Sequence, residues 1–242
     1  MKQRIDRLVV ERGFADSREK AQAMIMAGNV LVNDVPVTKP GTTVDSAVEI
    51  RLKGAPHPYV SRGGLKLEGA IEAFGISVES RVCLDVGSST GGFTQYLLMH
   101  GASRVYALDV DIQQLDWKVR KDARVRPVEL NARFLEPAHV GEPVDIVTID
   151  ASFISLTMLL PRIPTVLKED GICIALVKPQ FEVGRGQVGK GGIVRDERLQ
   201  REAIARIVEA GRSAGLEFVA EKESPITGRE GNREFFLLFR KA

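Results

Sequence analysis

Cys83-Leu84-Asp85-Val86-Gly87-Ser88-Ser89-Thr90-Gly91-Gly92-Phe93-Thr94 is the stretch that decides the fold. Cys83 to Val86 is a mostly apolar run that reads as a strand. Phe93 and Thr94 open a helical stretch. Between them, Gly87 permits a tight turn, and Gly91 and Gly92 let a ligand approach the backbone near a helix N-terminus. The same rhythm continues along the chain. Apolar strands at Val82–Val86, Val105–Asp109, Val125–Val128, Val144–Asp150, Ile172–Val177, Leu216–Ala220 and Phe235–Phe239 are separated mostly by helical stretches. Strands alternating with helices predict a parallel sheet covered on both faces. The last two strands are joined by a polar loop, Lys222–Arg233, with no helix, which makes them antiparallel neighbours. The prediction is therefore an α/β fold with a seven-stranded, mostly parallel sheet and one reversed strand.

The glycine spacing, G-x-x-x-G-G, is not the G-x-G-x-x-G of dinucleotide folds. Asp85 just before the first glycine is unfavourable for a pyrophosphate but suits an ammonium group. Asp109, about twenty residues on, ends the next strand where an acid accepts hydrogen bonds from ribose hydroxyls. S-adenosylmethionine has a ribose, an amino group and a sulfonium but no phosphate, and it matches this pattern. A turn that merely joins strand to helix would use the same glycines. Asp109 is what favours a ligand.

Asp150 ends the fourth strand and Lys178 the fifth, and ligands of open α/β sheets bind beyond the C-terminal strand ends. A single charge closing an apolar run usually only reaches solvent. Two such charges on neighbouring strands are a stronger signal. Lys66 lies on a helix over Leu65–Phe74, whose apolar stripe is Leu67, Ala70, Ile71 and Phe74. Glu234 opens the last strand. Taken alone, these two read equally well as an exposed helix position and a turn cap.

Residues 1–53 form a different unit. Ile5, Leu8 and Val9 recur at helical spacing, Ser17 can cap a second helix, and Gly28-Asn29 stops it. Short β-like pieces follow at Val30–Val32, Val35–Val37 and Val48–Ile50 around the turn Asn33-Asp34, making a small α+β module. Residues 54–62, with two prolines and no periodicity, read as a linker, and 63–242 as the larger domain. Over 242 residues the net charge is only +2, which announces no polyanionic partner. Residues 1–66 are richer, with eleven Lys or Arg against seven Asp or Glu. Cys83 and Cys173 sit in apolar strands and read as buried hydrophobes. The three histidines are scattered, so no metal site is expected. No run is long enough to span a bilayer, and the charged start does not read as a signal peptide. A cytoplasmic protein without a membrane partner is the expectation.

Together the motifs resemble the FtsJ-like class of ribose 2′-O-methyltransferases, and more closely the TlyA, or hemolysin A, family acting on ribosomal RNA. The resemblance rests on Tyr59-Val60-Ser61-Arg62-Gly63-Gly64-Leu65-Lys66-Leu67, Asp85–Thr94, Asp150-Ala151-Ser152-Phe153, Val177-Lys178-Pro179-Gln180-Phe181-Glu182, Lys190–Asp196 and Gly231-Asn232-Arg233-Glu234. The first module is similar to the RNA-binding domain of the fourth small-subunit ribosomal protein, through Arg4–Leu8, Ser17–Ala21, Gly28–Val30 and Val32–Asp34.

The resemblance implies a Rossmann-like fold and a Lys66-Asp150-Lys178-Glu234 catalytic set. It implies S-adenosylmethionine bound by Asp85, Gly87, Ser88, Gly91, Gly92, Phe93, Asp109 and Asn131. It also implies ribosomal RNA or a ribosomal subunit tracked by Arg4, Arg7, Arg18, Lys20, Lys39 and Arg62, through phosphate contacts that position without reading sequence. The reaction would methylate the 2′-hydroxyl of cytidine, with Lys178 as general base and the two acids orienting the lysines. Two readings compete: a base N-methyltransferase, whose Asp/Asn-Pro-Pro-aromatic motif would stand where this chain has Asp150-Ala-Ser-Phe153, and a non-catalytic ribosome-assembly factor. A membrane-lytic role has no support in the sequence.

Overall fold

The computed structural model describes residues 2–33, 35–52, 57–184, 186–228 and 231–242. Asp34 of the first module's turn, Lys53, linker residues 54–56 and residues 229 and 230 of the loop before Arg233 lie outside that set. The chain forms two compact units, one built on the residues up to Pro58, the other on Tyr59–Gly228 and Asn232–Ala242.

In the first unit, β1 (Lys2–Arg4) pairs with β4 (Thr43–Asp45), and β2 (Val30–Val32) pairs with β3 (Val35–Val37) and β5 (Ile50–Leu52), all antiparallel. Helices α1 (Ile5–Glu11) and α2 (Arg18–Met26) bury Ile5, Leu8, Val9, Ala21 and Ile25 against Val30 and Ile50. The Ser17 hydroxyl accepts the Lys20 amide, the cap its sequence position predicts. Three-residue strands β1 and β4 are mostly polar and show no alternation, which is why they escape a sequence reading.

The second unit begins with α3 (Gly63–Phe74), then β6 (Val82–Val86), α4 (Gly92–Met99), β7 (Arg104–Asp109), α5 (Trp117–Arg120), β8 (Val125–Glu129), α6 (Pro137–Val140) and β9 (Val144–Ile149). It continues with α7 (Ile163–Val166), β10 (Leu167–Val177), α8 (Pro179–Glu182), α9 (Glu197–Ser213), β11 (Leu216–Glu223) and β12 (Phe235–Lys241). The sheet order is β11-β12-β10-β9-β6-β7-β8, with β12 alone reversed. Alternate strand residues feed two cores. On one face Leu84, Val86, Val147, Ile149 and Cys173 meet Ile204 and Ile207 of α9. On the other, Cys83, Ile146, Ile174 and Phe236 meet Leu67 and Ile71 of α3 and Tyr96 and Leu97 of α4. Burial pushes the Cys83 thiol up to about 12, so it acts as a small hydrophobe. Among the described residues no helix is long and apolar enough to cross a membrane.

Candidate active site

The strand order explains how residues distant in sequence meet. Because β12 runs opposite to β10, its first residues lie at the edge where β10, β9, β6 and β7 end. Val177 pairs with Phe235, and Ile149 pairs with both Ala175 and Val86. Along one edge of the sheet therefore stand Glu234, Lys178, Asp150, the Gly87 turn and Asp109. At about 4.8 Å per strand, Glu234 and the turn are about 14 Å apart.

Lys66, in the first turn of α3, donates from Nζ to Glu234 Oε2 at 2.6 Å, closing a 168-residue gap in sequence. Lys178 Nζ lies 2.7 Å from Asp150 Oδ1 and donates to Ser152 Oγ at 2.8 Å. All four charged side chains are largely shielded, at 12, 3, 10 and 21% exposed for Lys66, Glu234, Lys178 and Asp150. Burial raises the Glu234 carboxyl above the usual carboxylate range. Lys66 and Lys178 oppose the rise, and Asp150 reinforces it. Glu234 thus senses the second ion pair as well as its own, and the four groups form one electrostatic cluster.

Ser152 was not singled out from the sequence, although it stands inside the Asp150–Phe153 motif. Next to it Phe153 holds a left-handed backbone (φ 63°), is 91% exposed, and sets its ring 5.1 Å from that of Phe181. A non-glycine residue in that conformation costs on the order of 1 kcal/mol, a strain typical of functional loops. Glu182 anchors the same loop. Its buried carboxylate accepts from Ser155 Oγ at 2.6 Å and the Leu156 amide at 2.9 Å. Asn232, 1% exposed, does similar work for the loop ahead of α9. It accepts from the Val194 amide and donates to the Gly192 carbonyl, each at 2.9 Å.

At the turn, Gly87 (φ 84°) passes so close to strand β9 that a Cβ would stand 2.7 Å from the Asp150 carbonyl oxygen. Gly92 packs against Ser61 and Gly64, where a Cβ would come within 2.3 Å of Ser61 Oγ. Asp109 accepts the Ser89 and Asp111 amides at 2.9 and 3.1 Å, which leaves lone pairs on a partly exposed carboxylate. The Ser88 hydroxyl is buried without a partner among the described residues. An unsatisfied hydroxyl and a half-used carboxylate beside a glycine turn match the donor needs of a ribose and an amino acid.

Three of the residues expected at the cofactor make contacts within the fold. Asp85 is fully buried and accepts from Thr94 Oγ1 at 2.6 Å and Thr148 Oγ1 at 3.0 Å. Phe93 is core, its ring 6.1 Å from Phe236. Asn131, exposed after β8, caps the following turn through the Arg133 amide. Among the basic residues, Arg4 and Arg18 reach buried Asp6, with closest contacts of 2.8 and 3.0 Å, and Lys20 pairs with Asp16. Arg7 and Lys39 have no ion pair among the described residues. Arg62 donates to the Thr227 carbonyl. No group of three potential ligands for a metal occurs among the described residues.

A seven-stranded sheet with a single reversed strand, a glycine turn after its first strand in sequence and a polar cluster at the same edge defines the Rossmann-like methyltransferase class. Residues 59–241 match the FtsJ-like methyltransferase family, to which the chain belongs, and residues 3–50 match the S4 domain. The 16S/23S rRNA (cytidine-2′-O)-methyltransferase TlyA of Mycobacterium tuberculosis is 44% identical over 239 residues, 98% of this chain and 89% of that one. Hemolysin A of Brachyspira hyodysenteriae is 43% identical over 242 residues, 98% of this chain and 99% of that one. The solved structure of a Streptococcus thermophilus protein provisionally named a hemolysin matches at TM-score 0.78 and 42% identity, covering 100% of this chain and 89% of that one.

Proposed function

We propose that this chain uses S-adenosylmethionine to methylate the ribose 2′-hydroxyl of cytidine in ribosomal RNA in the cytoplasm. The observation that carries the reading is the paired Lys66–Glu234 and Lys178–Asp150 cluster at the sheet edge that also holds the glycine turn. Asp109, Ser88, Asn131 and the backbone from Gly87 to Gly92 are the groups to hold the cofactor, which supplies an electrophilic methyl group.

Lys178 is the general base. A neutral amine has two N–H bonds and one lone pair. Ser152 Oγ accepts one of those N–H bonds and Asp150 Oδ1 stands 2.7 Å from the nitrogen, so the amine can turn its lone pair to the proton of the attacking hydroxyl. Asp150 and Glu234 orient the two amines. Fixing hydroxyl and base in attack geometry contributes much of the acceleration. The open face of Phe153 offers a base a stacking surface next to Lys178. In the S4 domain, Arg7 and Lys39 serve as phosphate contacts, whereas Arg4 and Arg18 are committed to Asp6.

The test is Lys178→Ala, assayed for methyl transfer to ribosomal RNA with cofactor affinity measured by calorimetry. Turnover should fall at least a hundredfold with cofactor affinity retained. Turnover near wild type rejects the base assignment, and a methylated base in place of a 2′-O-methylated nucleoside rejects the substrate atom.

A further inference from the structure

A second polar feature stands at the same sheet edge, away from the catalytic cluster. After β8, the turn Ala132–Phe134 sends Leu135 into the core and leaves Phe134 63% exposed. After β9, Leu156, Leu159 and Leu160 turn inward, which leaves Met158 48% exposed and Arg162 at the surface. Between the two segments lies a groove of about 540 Å³ lined by Arg133, Phe134, Thr157, Met158, Pro161 and Arg162.

Its charge is of one sign. Several arginines of this domain meet a carboxylate, as in Arg124–Asp122, Arg201–Glu221 and Arg233–Glu223. Arg133 and Arg162 meet none among the described residues, and no acid lines the groove. Two uncompensated guanidinium groups flanking an exposed aromatic ring are complementary to a polyanion with stackable bases. An apolar protein partner would not call for two unpaired cations. Asp150 and Leu156 are six residues apart, at most about 20 Å of extended chain, so a strand entering the catalytic crevice can reach the groove.

We propose that this groove holds single-stranded substrate RNA outside the target nucleotide. Arg133 and Arg162 contact successive phosphates and a base lies against Phe134. The proposal rests on the RNA methyltransferase reading above.

The test uses the full chain, with Arg133→Gln/Arg162→Gln, the charge-reversed Arg133→Glu/Arg162→Glu, and Phe134→Ala. Thermal unfolding checks that each variant folds. Binding of a labelled single-stranded oligoribonucleotide is measured across salt concentrations, and KM and kcat are measured on protein-free ribosomal RNA. Loss of two phosphate contacts should flatten the slope of log K against log salt by about 1.4. KM should rise about tenfold or more in the charge-reversed pair, with kcat at saturating RNA retained. Phe134→Ala should weaken binding by about tenfold without changing the salt slope. If the wild type methylates RNA and the double variants keep its KM and salt slope, the groove is not an RNA site. If they lose activity only on assembled subunits and not on protein-free RNA, the groove contacts protein and the proposal is overturned. A wild type that methylates no RNA instead removes the functional reading itself.

Discussion

Replacing Asp85 with Asn should make the protein more stable in alkali than in acid, relative to wild type. Asp85 is fully buried, its oxygens held by the hydroxyls of Thr94 and Thr148 and by the Thr94 amide. Burial is the largest cause raising its carboxyl from an ordinary 3.8 to about 7, and the nearby Asp150 charge adds to it. From about pH 4 to 7 the folded protein therefore keeps a proton that the unfolded chain has released. Stability then falls as pH rises through that window, by about 1.4 kcal/mol per pH unit. From pH 5 to pH 8 the wild type should lose about 3 kcal/mol from this group, since the loss stops near pH 7. Asn keeps the size and an acceptor, its amide can donate to one of the two hydroxyls, and it does not titrate. Urea unfolding of both proteins without cofactor, followed by circular dichroism from pH 5 to 8, measures the difference. The variant should gain about 3 kcal/mol on the wild type across that range. A difference constant with pH would refute the reasoning, because it would mean that Asp85 stays ionised in the fold.

Two further substitutions test packing and the S4 domain. Gly211→Ala in α9 improves helix propensity by about 1 kcal/mol, but its Cβ would stand 2.6 Å from the Phe239 ring. Both groups are buried, so thermal unfolding should show a net loss of about 1–3 kcal/mol. Asp6→Ala strips Arg4, Arg18 and Gln22 of a shared acceptor. The carboxylate is solvent-inaccessible but lies just beneath the surface, and both arginines are nearly half exposed and can rehydrate. The expected loss is about 2 kcal/mol, read as hydrogen-exchange protection of α1 and α2 amides. Arg4 holds the Asp6 carboxyl well below the ordinary range, so its stabilisation is full at neutral pH. It fades as pH falls below about 4, where variant and wild type should converge.

The meeting of Asp150 and Lys178 was legible because of one topological fact. In an open sheet, residues at strand ends share an edge however far apart they lie in sequence, so Asp150 and Lys178 could be brought together from their strands alone. Lys66 and Glu234 could not, since a helix start and a strand start carry no such mark. They needed the family resemblance, and their contact across 168 residues is a property of the tertiary fold. Asp85 shows the converse. An acid before a glycine turn suggests a ligand, but strand parity sets its direction. Asp85 shares the face of Cys83 and points at Thr94 and Thr148, whereas the backbone two residues later faces the crevice. Phe93 follows the same logic on the first turn of α4, where the face toward the sheet is already core.

The family resemblance implies Arg4 and Arg18 as phosphate contacts. Their shared acceptor, Asp6, lies on a different helix from Arg18, so no local spacing revealed it. The polar residues that hold loops in place, Glu182, Asn232 and Ser152, were present in the quoted motifs without an assigned role. Their work consists of bonds to backbone amides and a lysine supplied by other segments. A sequence shows which groups this sheet edge can hold. Which of them face a ligand and which hold the others in place is decided by side-chain direction at each strand end, and the Asp85→Asn experiment tests that direction at its most consequential position.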